Sequence, residues 1–183
     1  MHAHRRSGIW PRPLPDGRRL PAKSPNAEGA PVLVFAHGGA WTNGYKDWMG
    51  LMAPALTAAG IVLVSVSYRL APEHKWDAML GDCLGALAWV YRNIAGHGGN
   101  PERIAIGGQS AGGHLTMLAA LQRSRLVEFG IPPRAIVACL PLCAPLDIRY
   151  PQRLPGSGED LASPVSKPWH GEASWHLRER RPR

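Results

Sequence analysis

Four short runs of apolar residues stand out along the chain and predict β-strands: Val32 to Ala36, Ile61 to Val66, Ile104 to Ile106 and Ile136 to Leu140. Each run is nearly continuous in apolar residues rather than alternating with polar ones. A strand that is covered on both faces has this pattern, as in a parallel sheet packed between two layers of helices. The runs therefore predict a parallel sheet.

The segments between these runs are long enough for helices that connect one strand to the next. The clearest extends from Trp76 to about Ile94, where a large apolar residue recurs every three or four positions. Glycines follow it, and Asn100-Pro101 is predicted to open a turn. A second helix is predicted from Ser110 to Leu121. Strands and helices in alternation predict an α/β fold with a doubly wound, mainly parallel sheet in a three-layer sandwich.

The apolar pattern is confined to residues 31 to 150, which we predict to form a single core within a chain of 183 residues, 45% of them hydrophobic. This composition excludes a disordered or collagen-like chain. Residues 1 to 30 are basic, rich in proline and without an apolar period, so a flexible flank is predicted there. Residues 151 to 183 are predicted to be an irregular basic tail on the same grounds.

The formal charge of +8 would suggest a nucleic-acid partner if it covered a folded face. Residues 1 to 30 carry six basic and two acidic side chains, and residues 166 to 183 carry five and two. The basicity belongs to the two ends, so no nucleic-acid partner is expected. No apolar run approaches the ~18 residues of a membrane span, and no signal-peptide core precedes the first strand. These features predict a cytoplasmic protein without a membrane partner.

The cysteines Cys83, Cys139 and Cys143 lie in apolar segments and lack CxxC spacing. Cysteine is among the most frequently buried residue types. Buried, reduced thiols are therefore predicted at these positions.

Two glycine-rich segments follow predicted strands, at the edge of the sheet where α/β proteins carry their chemistry. One is His37-Gly38-Gly39-Ala40-Trp41, and the other runs from Gly107 to Gly113. The second lacks the GxGxxG register of a dinucleotide site, because Gln109 takes the position of the second glycine, and it has no Gly-Lys-Ser/Thr ending. Phosphate binding is therefore not favoured.

The segment Gly108-Gln109-Ser110-Ala111-Gly112 matches GxSxG, the nucleophile elbow. In this motif a serine sits on a tight turn between a strand and a helix, where flanking side chains would collide with the neighbouring backbone. Ser110 also starts a helix, so the Ala111 amide is expected to face an oxyanion forming at the serine. The motif alone is weak, since an ordinary helix start after a strand can look the same.

The context of the motif strengthens it, because four features resemble the α/β-hydrolases of the hormone-sensitive-lipase-like esterase group. They occur in the order of that group: His37 to Trp41, Ser67-Tyr68-Arg69-Leu70-Ala71-Pro72-Glu73-His74, Asp77, and Gly107 to Gly113. The match also resembles feruloyl-esterase and kynurenine-formamidase relatives that share an HGG loop, and it covers roughly residues 31 to 150. It implies a partial α/β-hydrolase fold.

The resemblance implies a serine hydrolase that acts on a small-molecule carboxylic ester, with no cofactor and no metal. Ser110 would be the nucleophile, and the amides of Gly38, Gly39 and Ala111 would surround the oxyanion of the tetrahedral intermediate. Trp41 is expected either at the rim of the site, as a substrate-binding aromatic beside the oxyanion loop, or equally in the core.

Other residues of the match are expected to have structural roles. His37 opens the oxyanion loop and is expected to fix its shape, because the family's base follows the nucleophile in the chain. His114, one helical turn after Ser110, is expected to be a packed core histidine. The segment with Arg69 and Glu73 is expected to tie the strand end to the next helix through an ion pair, and Asp82 to be a surface or paired carboxylate.

The remaining members of a catalytic triad cannot be assigned from the sequence. The acid and the histidine base are expected in that order after Ser110, on loops that follow later strands. By composition alone the candidates are Glu159 or Asp160 with His170 or His176, and no predicted element holds any of them. Asp147 resembles a structural position of the family, one strand too early for the acid.

The chain therefore looks cut short or out of frame at its ends. The family orders the four strands second, first, third and fourth, with further strands on both sides, so exposed sheet edges and self-association through them are expected. Two functions remain open. One is an esterase, inactive if its acid and base are missing. The other is a non-catalytic remnant or binding protein that retains the hydrolase core.

Overall fold

A computed structural model describes residues 7–10 and 29–146 of the chain. These residues belong to the unit Met1–Leu146, and a second unit is Asp147–Arg183. The predicted tail and most of the predicted flank lie outside the described residues, as do all four triad candidates and Asp147.

The described residues form a five-stranded sheet in the order β1-β3-β2-β4-β5. The strands are β1 (Ser7–Trp10), β2 (Ala30–Ala36), β3 (Val62–Val66), β4 (Gly99–Gln109) and β5 (Ile136–Leu142). The strands β2 to β5 pair in parallel, and β1 is antiparallel to β3. The predicted parallel sheet is confirmed, and so is the predicted order of its four strands.

The helices lie between the strands as predicted. They are α1 (Ala53–Ala58), α2 (Trp76–Asn93), α3 (Ala111–Leu121) and α4 (Arg123–Glu128), with short 3-10 segments at Lys46–Met52, Ile94–His97 and Pro133–Ala135. None of the helices in the described part of the chain is long and apolar enough to cross a membrane.

Both faces of the central strands are buried, which explains their continuous apolar runs. Leu33, Phe35 and Leu63 form one cluster, packed by residues of Lys46–Met52 and α1. Val32 and Val34 alternate with them, are 1% and 2% exposed, and point to the opposite face. On that face α2 and α3 pack against each other and against β4. The predicted three-layer α/β architecture is therefore observed.

The strand β4 begins earlier than predicted, at Gly99. The turn predicted at Asn100-Pro101 is present within it, because the Asn100 side chain accepts from the Glu102 N–H at 2.8 Å. Gly98 ends the preceding 3-10 segment in the left-handed region with φ of 81°. The chain then pairs at once, because Ala30 donates its N–H to the Gly98 carbonyl at 2.9 Å and Gly99 pairs with Ala30. The register shifts between Ala30 and Val32, and this irregularity accommodates a proline in the strand.

The strand β1 differs from the expectation that residues 1 to 30 contribute no element. Ser7 pairs with Val66 and Trp10 with Leu63, so β1 covers the outer edge of β3. Four residues carry too little local signal to predict a strand, and this pairing joins segments more than fifty positions apart in the sequence.

The strand β5 lies at the other edge of the sheet, where the described residues provide no further strand. Val137, Leu140 and Leu142 on it are 59%, 45% and 49% exposed. The expectation of an under-covered apolar face is therefore met at β5.

The cysteines are all free, but only Cys83 is fully buried. Burial raises the pKa of the Cys83 thiol to about 12. The expectation of burial is wrong for Cys143, which is exposed. It follows directly after the open edge strand β5, where the described part of the chain offers little cover.

Candidate active site

Ser110 occupies a strained turn between β4 and α3. Its φ and ψ are 51° and −115°, a conformation that residues other than glycine rarely adopt. Its N–H donates to the Leu142 carbonyl at 2.8 Å, and its carbonyl accepts from the His114 N–H at 3.0 Å. Such strain costs on the order of 1–3 kcal/mol and persists only where the surrounding structure enforces it. This is the backbone that the GxSxG motif predicted.

The glycines on either side of Ser110 allow the close approach of neighbouring backbone. A Cβ on Gly108 would lie 2.5 Å from the Gly112 carbonyl oxygen and 2.6 Å from the Gly113 nitrogen. A Cβ on Gly112 would lie 2.6 Å from the Ala36 carbonyl carbon, and closer still to the Ala36 and His37 oxygens. Both glycines are therefore required by packing, as the sequence predicted.

The loop after β2 makes a tight turn of left-handed residues. Gly39, Ala40 and Trp41 have φ of 113°, 49° and 61°. The Gly39 carbonyl accepts from the N–H groups of Thr42 and Asn43, each at 3.0 Å. Because the peptide bond to Ala40 is trans, the Ala40 N–H points opposite to that carbonyl, away from the turn. The positive φ at Ala40 was not predicted from the sequence, because alanine is not typical of this conformation.

This loop lies directly against the elbow. Ala36 pairs with Gly108, so β2 and β4 end at the same level. A Cβ on Gly38 would lie 3.0 Å from the Gln109 carbonyl oxygen and 2.8 Å from its Cδ. Ala111 is the first residue of α3, and helix-start amides lack an acceptor within the helix. The two sources of predicted oxyanion donors therefore meet at one edge of the sheet.

His37 is completely buried and holds the start of this loop. Its Nδ1 donates to the Gly38 carbonyl at 2.6 Å, and its ring stacks on Tyr68 with centroids 4.4 Å apart. The Tyr68 hydroxyl donates to the His37 carbonyl at 2.9 Å. Burial lowers the pKa of His37 more than the hydrogen bond to Gly38 raises it. These are the contacts of a residue that shapes the loop.

The side chain of Trp41 extends from this loop to α3. Its ring meets the ring of His114 edge to face, with centroids 5.4 Å apart and planes at 90°. Its carbonyl accepts from the Ala71 N–H at 2.9 Å. Trp41 is half-buried, which fits either of its two predicted roles. His114 is 6% exposed, and burial lowers its pKa.

An ion pair ties the segment after β3 to α2, as expected, although the acid is Asp82 rather than Glu73. The Asp82 carboxylate accepts from both the Nε and the backbone N–H of Arg69, each at 2.8 Å. The Arg69 guanidinium also donates to the Ala78 carbonyl at 3.2 Å. Asp77 pairs with Arg125 at 2.7 Å and so joins α2 to α4.

A family model described as the alpha/beta hydrolase fold matches residues 33–176. Carboxylesterase NlhH of Mycobacterium tuberculosis is 44% identical over 107 residues, which are 58% of this chain and 33% of the relative. A probable isoprenylcysteine alpha-carbonyl methylesterase of Oryza sativa is 40% identical over 94 residues, or 51% of this chain and 22% of the relative.

Solved esterases share the fold. The thermostable carboxylesterase EstE1 from a metagenomic library is 32% identical with a TM-score of 0.54, over 63% of this chain and 39% of that one. An arylesterase gives 27% identity and a TM-score of 0.56, over 68% of this chain and 40% of that one.

The fold and the elbow define the class as an α/β hydrolase. This chain belongs to the alpha/beta hydrolase family, and its named relatives are esterases. It spans about a third of the length of the carboxylesterase it matches.

Proposed function

We propose that this chain carries the nucleophile half of a carboxylic-ester hydrolase active site. Ser110 is the nucleophile, the amides of Gly38, Gly39 and Ala111 bind the oxyanion, and Trp41 lines the rim for a small-molecule ester. The observation that carries the proposal is the φ of 51° at Ser110, because nothing in ordinary helix capping requires such strain.

In this reaction the Ser110 hydroxyl oxygen attacks the ester carbonyl carbon, and the carbonyl oxygen becomes an oxyanion. The intermediate collapses to an acyl-serine as the alcohol leaves with a proton, and water then releases the acid. The serine proton must pass to a base. The positive end of α3 and the loop amides favour the oxyanion without a cofactor.

The base and its acid are not assigned among the described residues. The rings of His37 and His114 are engaged with Tyr68 and Trp41 respectively. We therefore keep the second function as the alternative: a non-catalytic remnant or binding protein that retains the core. Even without a base, oxyanion binding supports residual catalysis of roughly 10³ to 10⁴ over water.

A fluorophosphonate probe tests the proposal directly. It should label Ser110 in preference to the other serines, as located by peptide mass spectrometry, and Ser110→Ala should remove that label. Equal labelling of several serines would refute a built nucleophile site. The label forms in a single attack of the Ser110 oxygen on phosphorus and accumulates without a deacylation step, so a slow reaction is still detected after long incubation even though no base is assigned among the described residues.

The proposal extends to the location, the partners and the domain organisation of the protein. We propose a cytoplasmic location, no nucleic-acid partner, and self-association through the open edge of β5, where Leu140 and Leu142 are exposed. The domain organisation is proposed as a core over residues 31 to 150, which β1 joins from the basic flank, followed by a basic tail.

A further inference from the structure

The ring of Trp41, in the oxyanion loop, contacts the ring of His114, in α3, with the two planes perpendicular. Each partner is tied by its backbone to one half of the site. The N–H of His114 donates to the Ser110 carbonyl at 3.0 Å, and Trp41 lies inside the turn that the Gly39 carbonyl closes. The contact therefore spans the two halves of the proposed site.

His114 has no role in the reaction proposed above, yet its side chain is buried. It is 6% exposed, and its Nδ1 is buried without a hydrogen-bond partner. A buried polar atom without a partner is unfavourable, so an apolar side chain would be favoured here if packing alone mattered. The perpendicular ring contact is the interaction that the imidazole does make.

The loop that contains Trp41 has a backbone that local sequence does not favour. Its turn is closed by the N–H groups of Thr42 and Asn43 on the Gly39 carbonyl, and three consecutive residues have positive φ. Ala40 and Trp41 are not glycines, so their backbone conformation must be imposed from outside. The contacts that do so include the Ala71 N–H, which donates to the Trp41 carbonyl at 2.9 Å, and the His114 ring, which lies edge to face with the indole.

We propose that His114 is a positioning residue that sets the oxyanion loop relative to Ser110 by holding the Trp41 indole edge to face. The effect of this positioning on catalysis rests on the proposed function. The loop geometry itself can be measured without any reaction.

The chain contains a matched control. The rings of His97 and Trp89 also contact each other, with centroids 5.8 Å apart and planes tilted by 42°. The two ends of β4 pair with Ala30 and Ala36, six positions apart on β2, so His97 and Ser110 lie roughly 20 Å apart at opposite ends of the strand. His97→Ala thus removes a histidine–tryptophan contact far from the site.

Hydrogen exchange of the Thr42 and Asn43 amides reports whether the turn is closed. We expect His114→Ala to accelerate their exchange about two- to ten-fold, the size of effect that an edge-to-face pair supports, and His97→Ala to leave it unchanged. His114→Phe keeps a ring against the indole and should restore slow exchange. Trp41→Ala should accelerate exchange at least as much as His114→Ala, and in the Trp41→Ala background the change His114→Ala should add nothing further. Since His114→Ala could fail to fold, Trp41→Ala and His114→Phe test the inference independently.

Fluorophosphonate labelling of Ser110 gives the second readout. His114→Ala should lower the maximal labelling rate while the concentration for half-saturation stays unchanged, because the loop acts on the developing oxyanion. Unchanged exchange in His114→Ala, or failure of His114→Phe to restore it, would overturn the inference. If the wild type is not labelled but the exchange responds as expected, the proposed function fails and the coupling through His114 stands.

Discussion

The ring of Tyr68 lies flat against the ring of His37, with 12° between their planes, and its hydroxyl donates to the carbonyl of the same residue. One side chain from the segment after β3 thus holds both the ring and the backbone of the residue that opens the oxyanion loop. Both residues are at most 2% exposed, so water cannot replace the hydrogen bond.

Removing the Tyr68 hydroxyl should destabilise the fold. Tyr68→Phe keeps the stacked ring but leaves the buried His37 carbonyl without this donor, which should lower the free energy of unfolding by about 1–3 kcal/mol. Urea denaturation measures it. Tyr45→Phe is the control, because Tyr45 is 52% exposed and its change should be small. A loss no larger than that of the control would contradict the role given to the hydroxyl.

Adding a methyl group at Gly112 should be costly. The new Cβ would meet the backbone of Ala36 and His37, which cannot move aside as a side chain can. We expect Gly112→Ala to lower the free energy of unfolding by about 1–3 kcal/mol, the usual range for overpacking.

The control for Gly112→Ala is Gly85→Ala in the interior of α2. A Cβ at Gly85 meets nothing within 4 Å, so this change should stabilise by about 0.5–1 kcal/mol. Thermal and urea denaturation of both variants provide the comparison. Equal effects at the two glycines would show that the elbow has more room than the structure gives it.

Lowering the pH should decrease the free energy of unfolding, because His37 and His114 are buried. Burial lowers the pKa of His37 and of His114 below 6.5, so the unfolded chain binds more protons than the folded one in that range. The contribution of the two neutral histidines to the free energy of unfolding is complete above pH 6.5. It is lost as the pH falls towards the pKa values of the folded state. Urea unfolding between pH 7.5 and pH 5 should show stability decreasing, and His114→Phe should flatten that slope. A slope unchanged by the substitution would exclude His114 as a source.

The purified chain should hydrolyse p-nitrophenyl acetate feebly at most, and Ser110→Ala should change the rate little. A triad acts as a unit, and loss of its histidine costs on the order of 10⁶ in turnover in a well-studied protease. Robust turnover that disappears in Ser110→Ala would show that a histidine outside the described residues reaches the elbow. His170→Ala and His176→Ala would then identify it.

A charge on β5 should reduce self-association. Leu140→Lys places a lysine on the open edge strand, a change that natural sheets use to block pairing between edges. Analytical ultracentrifugation should show less dimer or aggregate than the wild type. Leu51→Lys, at a leucine that is 90% exposed but on no strand, should have no such effect.

The local sequence determined the central strands, the two long helices and the elbow. Continuous apolar runs predict buried parallel strands because both faces need cover, and the stripe along α2 predicts its buried side. Gly108 and Gly112 were identifiable because the motif allows no side chain there, and the structure supplies the backbone atoms that such a side chain would meet. The roles of Gly38, Gly39 and Ala111 as oxyanion donors stay predictions.

Only the tertiary structure decided the remaining features, because each depends on contacts between segments distant in the sequence. The edge strand β1 exists through its pairing with β3, the start of β4 through the pairing of Gly99 with Ala30, and the partner of Arg69 through the packing of α2. The positive φ at Ala40 and the contact of Trp41 with His114 leave no local pattern. Periodicity records which face of an element is buried, whereas the atoms that meet across that face are set by how the elements pack.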